Sequence, residues 1–386
     1  MPRRRRQSHG LERVLGAPAL FATAYGNVGS SIYYALGLVA GIALGLTPLV
    51  FIISGLIFAA TAATYAEGTV RYPEAGGSSS FARHAFNELV SFGAAWAQML
   101  NYVITIAISV IFVPHYLSIF WAPLRTNPWD IVVGIVFTWL LVGVNIVGIQ
   151  EAAKLNVLLA VVDFATQLVL VLLGFFLIFH PTILWHNVHF GVAPSWSSFL
   201  LAIPVAMIAY TGIETVSNLA EEARDPVRSI PRAISWVAIA VFAIYFTLPW
   251  VALSAMPVVH QGAHYVTQLG QDPPHGFKND PVLGLVENLG LHGGVLSAAK
   301  VYVGILAATI LFIATNAGVI GASRITYAMS THRQLPELFR RLHPKLKTPW
   351  LALIVFGAIG PTIFLLSGQV DFLGRMYAFG AMLSFT

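Results

Sequence analysis

The chain contains no cysteine, which removes disulfide, haem-thiolate and zinc-thiolate chemistry from consideration. Charge is almost as scarce. Asp, Glu, Lys and Arg make up 10% of the 386 residues, where a soluble domain carries about a quarter. With hydrophobic residues at 57%, this balance defines a polytopic membrane protein. Catalytic signatures are missing as well: there is no His-Glu-x-x-His zinc motif, no Gly-x-Ser-x-Gly elbow and no phosphate loop. The twelve histidines offer no metal spacing, since His186 and His189 are three apart in an interfacial loop. Pore-lining repeats and a selectivity-filter loop, which a channel would favour, are also lacking. The sequence therefore reads as a non-enzyme without metal or cofactor.

What is present is a series of long apolar runs. A hydrocarbon core about 30 Å thick needs roughly 20 apolar residues per helix, and ten stretches qualify as candidates: 17–40, 48–66, 89–120, 131–149, 155–179, 199–220, 234–255, 298–320, 350–366 and 372–386. Barrel strands would alternate apolar and polar residues, whereas "VVGIVFTWLLVGVNIVG" is apolar on all sides. The first run follows "RRRR" yet is too long for a cleaved signal peptide and precedes nine more spans. The last run stops at Thr386 without a polar flank, so the expectation is a fragment truncated in its tenth helix.

Basic residues give an orientation. All but Arg125, Lys278, Lys300 and Arg375 of the 21 Lys and Arg fall in loops on one side if the N-terminus is cytoplasmic, as the positive-inside rule requires. The net charge of +5 then faces the lipid surface, and nucleic acid need not be invoked. The expected localisation is the cytoplasmic membrane, multi-pass; nothing in the sequence indicates an oligomeric state.

Two spans are interrupted. The first carries Gly26, Asn27, Gly29, Ser30 and Ser31; the sixth, "FLLAIPVAMIAYTGIETVSNLA", carries Pro204, Tyr210, Thr211, Gly212 and Glu214. Both interruptions begin with Ala-Tyr, at Ala24-Tyr25 and Ala209-Tyr210. Five helices separate them, and an odd number per repeat inverts the second repeat relative to the first. Matched interruptions of this kind point to a transporter's midplane binding site. Close packing of small residues is the plainer alternative, but an intramembrane carboxylate such as Glu214 is expensive unless used.

These motifs resemble the amino acid–polyamine–organocation superfamily, specifically its bacterial amino acid permeases. "GNVGSSIYYALG" is similar to the family's first-helix interruption, "YPEAGGSSSFAR" to its first cytoplasmic loop, "AYTGIETVSNLAEEARDPVRSIPRAI" to its sixth helix and following loop, and "TNAGVIGASRITYAMS" to the end of its eighth. The resemblance implies an all-α, leucine-transporter-like fold of five plus five helices with helices 1 and 6 broken. Residues 1–14 would form a basic tail, 15–180 the first repeat and 181–386 the second. Members usually have twelve helices, which supports truncation.

The resemblance also implies a site. The amides of Gly29, Ser30 and Ser31 would hold a substrate carboxylate. Carbonyls of Tyr25, Gly26 and Asn27, with Ile208 and Ala209, would face its ammonium, and Gly212 would permit the turn. Tyr210 would be a pocket wall or gate, or a packing aromatic; Asn101 and Tyr102 are further pocket candidates. Glu214 and Lys154 would serve gating or coupling, with Thr315 and Asn316 near Lys154; a lysine would substitute there for the Na⁺ of related transporters, or merely anchor at the lipid surface. The expected function is amino acid transport by alternating access, proton-coupled, with exchange or a non-transporting sensor as alternatives. Neutral amino acids are favoured as substrates. "EEARDPVRSIPRA" would form an ion-pair latch among Glu221, Glu222, Asp225, Arg224, Arg228 and Arg232, or a solvated loop. Asp280, Pro281 and Gly290 mark the N-cap, first turn and stop of a short outer-loop helix.

Overall fold

The computed structural model describes residues 15–74, 76–147, 153–186, 188–189, 191–220, 223–262, 264–346 and 348–385, apart from the side chains of 153–156, 183, 185 and 186. The apolar runs fold as helices: α1 (Ala17–Val28), α2 (Ile32–Ala43), α3 (Thr47–Arg71), α4 (Ser78–Ala85), α5 (Glu88–Leu117), α6 (Trp129–Val147), α7 (Ala153–Leu177), α8 (Pro181–His186), α9 (Trp196–Met207), α10 (Glu214–Asn218), α11 (Pro226–Ala255), α12 (Pro281–Glu287), α13 (Gly293–Thr331), α14 (Trp350–Ala352), α15 (Gly360–Leu365) and α16 (Val370–Phe385). A small hairpin, β1 (Val259–Gln261) with β2 (His264–Val266), pairs antiparallel with His260 opposite Tyr265. Among the described residues, six stretches are long and apolar enough to cross a membrane, and the first, Ala17–Arg71, contains two of the expected spans. The protein is an all-α membrane protein.

The boundaries shift where polar residues extend a helix beyond the lipid. α11 starts at Pro226, well before the apolar run, because proline suits a first helical turn and the carbonyl of Asp225 accepts the Ser229 amide at 2.7 Å. Asn87 caps α5, its Oδ1 accepting the amides of Leu89 and Val90, each at 3.0 Å. The ninth run is not one regular helix: residues Leu353–Ile359 between α14 and α15 are π-helical.

Helix α5 is the central post, buried along most of its length and packed on α13, α16, α6 and α4. Helix α1 lies against α7, α11 and α13, while α3 lies between α9 and α11. Large apolar side chains left exposed, among them Leu56, Val136, Leu140, Leu172, Phe176 and Ile239, lie on α3, α6, α7 and α11, as a lipid-facing surface requires.

At one end of the bundle the loop 267–280 locks onto α2. A Cβ on Gly37 would meet the Lys278 carbonyl oxygen at 2.1 Å, and one on Gly41 the Gly270 carbonyl oxygen at 3.0 Å. Ion pairs hold the same contact: Lys278 Nζ lies 2.6 Å from Asp272 and 3.1 Å from Asp371, the second residue of α16. Helix α12 forms where the outer-loop helix is expected, with Gly290 at φ +74° beyond its end. Asp280 caps it through its backbone carbonyl, which accepts the Gly284 amide at 3.0 Å, not through its side chain. The carboxylate is taken instead by Arg125, at 2.7 and 2.8 Å. Burial pushes the Asp280 carboxyl up from its ordinary pKa, more than the Arg125 guanidinium pulls it down.

The proposed latch after the sixth span reduces to one loose contact among the described residues, Arg228 with Asp225 at 3.9 Å, both exposed; Glu221 and Glu222 lie outside the described residues. The solvated-loop alternative accounts for this pair.

Because backbone meets backbone at Gly37, Gly37→Ala should cost about 1–3 kcal/mol through overpacking. Gly93→Ala, where no atom lies within 4 Å of the new methyl, should be neutral. Thermal unfolding of both variants in detergent checks this; equal melting temperatures would show that the α2 contact is slack.

Candidate functional site

The two interruptions differ in kind. The first span is not unwound: Val28, Gly29, Ser31 and Ile32 keep right-handed helical dihedrals, and residues Gly29–Ser31 tighten into a 3₁₀ turn. Serine hydroxyls that bond back to a preceding carbonyl bend helices in this way, and both Ser30 Oγ (2.8 Å) and Ser31 Oγ (3.3 Å) donate to the Asn27 carbonyl. Side chains from neighbouring helices reach the next carbonyls. Tyr245 Oη of α11 donates to Val28 O at 2.5 Å, and Gln167 Nε2 of α7 lies 3.4 Å from Gly29 O. The amide of Gly29 bonds to Tyr25 O, so in this conformation it is engaged within the helix. Gly26 packs its open face on Ile313 of α13.

The sixth span is genuinely broken. α9, with Pro204 inside it, passes into a 3₁₀ turn at Ile208–Tyr210; Thr211 is extended, and Gly212 has φ +117°. That φ suits glycine, and space demands it again: a Cβ would fall 2.8 Å from the Asn27 side chain. The Ile208 carbonyl accepts the Thr211 hydroxyl at 2.9 Å, and that hydroxyl also bonds Tyr377 of α16. Ala209 is fully buried beside it.

The two interruptions meet. Asn27 sits on Gly212, and its Nδ2 donates to Thr215 Oγ1 at 3.2 Å. Glu214 opens α10 and turns back on the break: Oε2 accepts the Gly212 amide at 2.9 Å, and Oε1 accepts Asn101 Nδ2 of α5 at 2.9 Å. Further along, Asn218 Nδ2 donates to Tyr102 Oη at 2.6 Å, and Ser217 Oγ lies 2.8 Å from Thr69 Oγ1. Asn101 and Tyr102 thus both reach the sixth span. Asn27 Oδ1 and Asn101 Oδ1 are buried without a partner among the described residues.

Other expected site residues sit differently. Tyr210 is wedged among Phe51, Phe58 and Tyr245, its hydroxyl donating to Phe51 O at 2.7 Å; the packing alternative describes this placement. Thr315 bonds its own helix at Leu311 O, and Asn316 faces α6, where its Oδ1 accepts Asn145 Nδ2 at 2.6 Å. Lys154 is the second residue of α7, and its side chain lies outside the described residues.

Asp163 is not among the site residues expected from the sequence. It is fully buried on α7 and receives Tyr33 Oη (2.6 Å), Gln167 Nε2 (2.7 Å) and Tyr25 Oη (3.1 Å). Its i,i+4 spacing with Gln167 in a mostly apolar helix was the available signal, since residues so spaced share a face.

A helical membrane bundle whose buried polar side chains converge on two interrupted helices has the form of a secondary transporter. Residues 15–386 match the amino acid permease family, and the chain belongs to that family. It is 25% identical over 378 residues to the low-affinity putrescine importer PlaP of Escherichia coli K12, covering 92% of this chain and 75% of that protein. It is 25% identical over 414 residues to a methylthioribose transporter of Bacillus subtilis, covering 98% and 80%. It is also 26% identical over 350 residues to the lysine-specific permease LysP of Escherichia coli K12, covering 87% and 68%. The family and these relatives are transporters, not enzymes.

Asn101 and Glu214 should behave as one unit. Asn101→Ala and Glu214→Gln should each destabilise the protein, and the double variant should fall short of their sum by about 0.5–3 kcal/mol. Denaturation in detergent measures the coupling, and strict additivity would break the link drawn between α5 and the sixth span.

Proposed function

We propose that the protein is a secondary active transporter of amino acids, working by alternating access across the cytoplasmic membrane and driven by protons. In this reading the N-terminus is cytoplasmic, ten spans form two inverted five-helix repeats at 15–180 and 181–386, and the interrupted first and sixth spans are partners across the pseudo-twofold. The single observation that carries it is the meeting of the two interruptions, with Asn27 seated on Gly212 and bonded to Thr215. Bringing helix interruptions together at the middle of a membrane leaves partly satisfied backbone groups beside each other, where a zwitterion meets both signs of helix-end charge.

The substrate carboxylate would be held at Gly29, Ser30 and Ser31, and the ammonium by carbonyls at Tyr25, Gly26, Asn27, Ile208 and Ala209. Because Gly29 is engaged with Tyr25 in this conformation, carboxylate binding requires the 3₁₀ turn to loosen, a change that alternating access would supply. Asp163 and Glu214 already accept hydrogen bonds from the protein itself, which favours substrates with uncharged side chains. Lys154, at the start of α7, would take the place of a coupling cation, with Glu214 gating the sixth span.

A thermal-shift screen of the purified protein against the amino acids, with putrescine and methylthioribose included because relatives carry them, should find a stabilising ligand, since binding raises stability by mass action. Uptake of that compound into proteoliposomes should rise with an inward proton gradient. Ser30→Trp should insert normally yet abolish binding, and Lys154→Ala should lose the proton dependence. Binding without flux would make the protein a sensor. Normal affinity in Ser30→Trp would move the site elsewhere.

A further inference from the structure

Asp163 has no assigned role in the transport reading above, yet it touches both halves of the first span. Tyr25 precedes the 3₁₀ turn and Tyr33 follows it, and both hydroxyls end on this one carboxylate, Tyr25 on Oδ2 and Tyr33 on Oδ1. Gln167, one turn further along α7, donates to Oδ2 at 2.7 Å, and the same Nε2 lies 3.4 Å from the carbonyl of Gly29, the first residue of the turn. The carboxylate therefore bridges the two helix segments, and its amide neighbour reaches the backbone between them.

The groups facing Asp163 are phenols and an amide. Those that bond it are Tyr25 of α1, Tyr33 of α2 and Gln167 of α7 itself; Tyr245 of α11 and Tyr116 of α5 bond the nearby carbonyls of Val28 and Tyr33, and on α13 Tyr302 bonds the neighbouring Thr166 at 2.8 Å. No ion pair to Asp163 exists among the described residues, so a proton can arrive without breaking one. An ionised carboxylate only accepts hydrogen bonds, whereas a protonated one must also donate. Gln167 Oε1 is buried and has no partner among the described residues, which makes it a ready acceptor. Rotation of the Gln167 amide about its terminal bond would present Oε1 to the new O–H, and would carry Nε2 away from Gly29 O.

We infer that Asp163 is a proton-operated clamp on the first span: ionised, it ties Tyr25 and Tyr33 together across the 3₁₀ turn, and protonated, it turns Gln167 and releases the turn at Gly29. The proton comes from the bulk on the acidic side and returns to the bulk on the other side as the clamp re-forms. Losing the Gln167 contact at the Gly29 carbonyl loosens the 3₁₀ turn in which Tyr25 O holds the Gly29 amide, and that loosening is what carboxylate binding requires, so the link to uptake rests on the transport reading, whereas the clamp itself does not.

Hydrogen–deuterium exchange of peptides spanning 17–43, in nanodiscs from pH 8 to pH 5.5 and corrected for the intrinsic chemical rate, reads the clamp without any substrate. Protection around 25–33 should fall as the wild-type protein is acidified. Asp163→Asn, which cannot ionise, should show the same protection at both pH values. Should that variant fail to fold, Gln167→Met keeps the carboxylate but removes the rotating amide, and it too should lose the pH response. A wild-type response that persists in either folded variant, or a wild-type protein that shows none, overturns the clamp. In proteoliposomes assayed in parallel with L-alanine, L-lysine and putrescine, the acid-stimulated component of uptake should be lost in Asp163→Asn. Absence of all uptake by the wild-type protein would overturn the transport reading and leave the exchange result standing by itself.

Discussion

In hydrocarbon, every backbone amide and carbonyl that leaves a helix must find a partner inside the protein, and the structure around the first and sixth spans is organised by that requirement. The 3₁₀ turn at Gly29–Ser31 and the break at Thr211–Ile213 disturb the regular bonding of two helices in the middle of the bundle. Neighbouring helices respond with side chains, Tyr245 at Val28, Tyr116 at Tyr33 and Gln167 towards Gly29, and the sixth span supplies its own Glu214 at Gly212. Each is a polar group that a membrane helix would otherwise not carry. The same residues that repair the backbone therefore gather α5, α7 and α11 around the two interrupted spans.

This arrangement couples the backbone of the site to side chains far away in sequence. Glu214 links its own turn to Asn101 of α5, and Asp163 links α7 to both segments of the first span. A change at either carboxylate is transmitted directly to backbone geometry. At one end of the bundle the contact is of another type. There α2 and the loop 267–280 approach backbone to backbone at Gly37, with Lys278, Asp272 and Asp371 clasping the rim. The first span is thus held by hydrogen bonds at its bend and by close packing at its end.

Much of the site was legible because the chemistry of its residues is improbable in a membrane. Glycines, serines and an asparagine in one apolar run, and proline, glycine and glutamate in another, announced two broken helices; the second run breaks, whereas the first only tightens into a 3₁₀ turn. Their difference was not legible. Glycine permits both a tightened turn and an extended residue, and the choice depended on Asn27 filling the space beside Gly212 and on serine hydroxyls folding back to the Asn27 carbonyl. The expected roles of Tyr210 and Asn316 came from the family resemblance, which does not say how each helix is rotated against its neighbours. Tyr210 faces an aromatic cluster, and Asn316 faces α6.

By itself the sequence determined the membrane class, the helical content, the two interrupted spans and the family, because hydropathy, helix-breaking residues and motif order are local properties of the chain. The tertiary structure alone decided which polar groups meet. Asp163 with Tyr25 and Tyr33, Glu214 with Asn101, and Gly37 with Lys278 join residues that are far apart along the chain. Contacts of that kind depend on how helices rotate and cross in packing, and no local pattern of hydrophobicity encodes them.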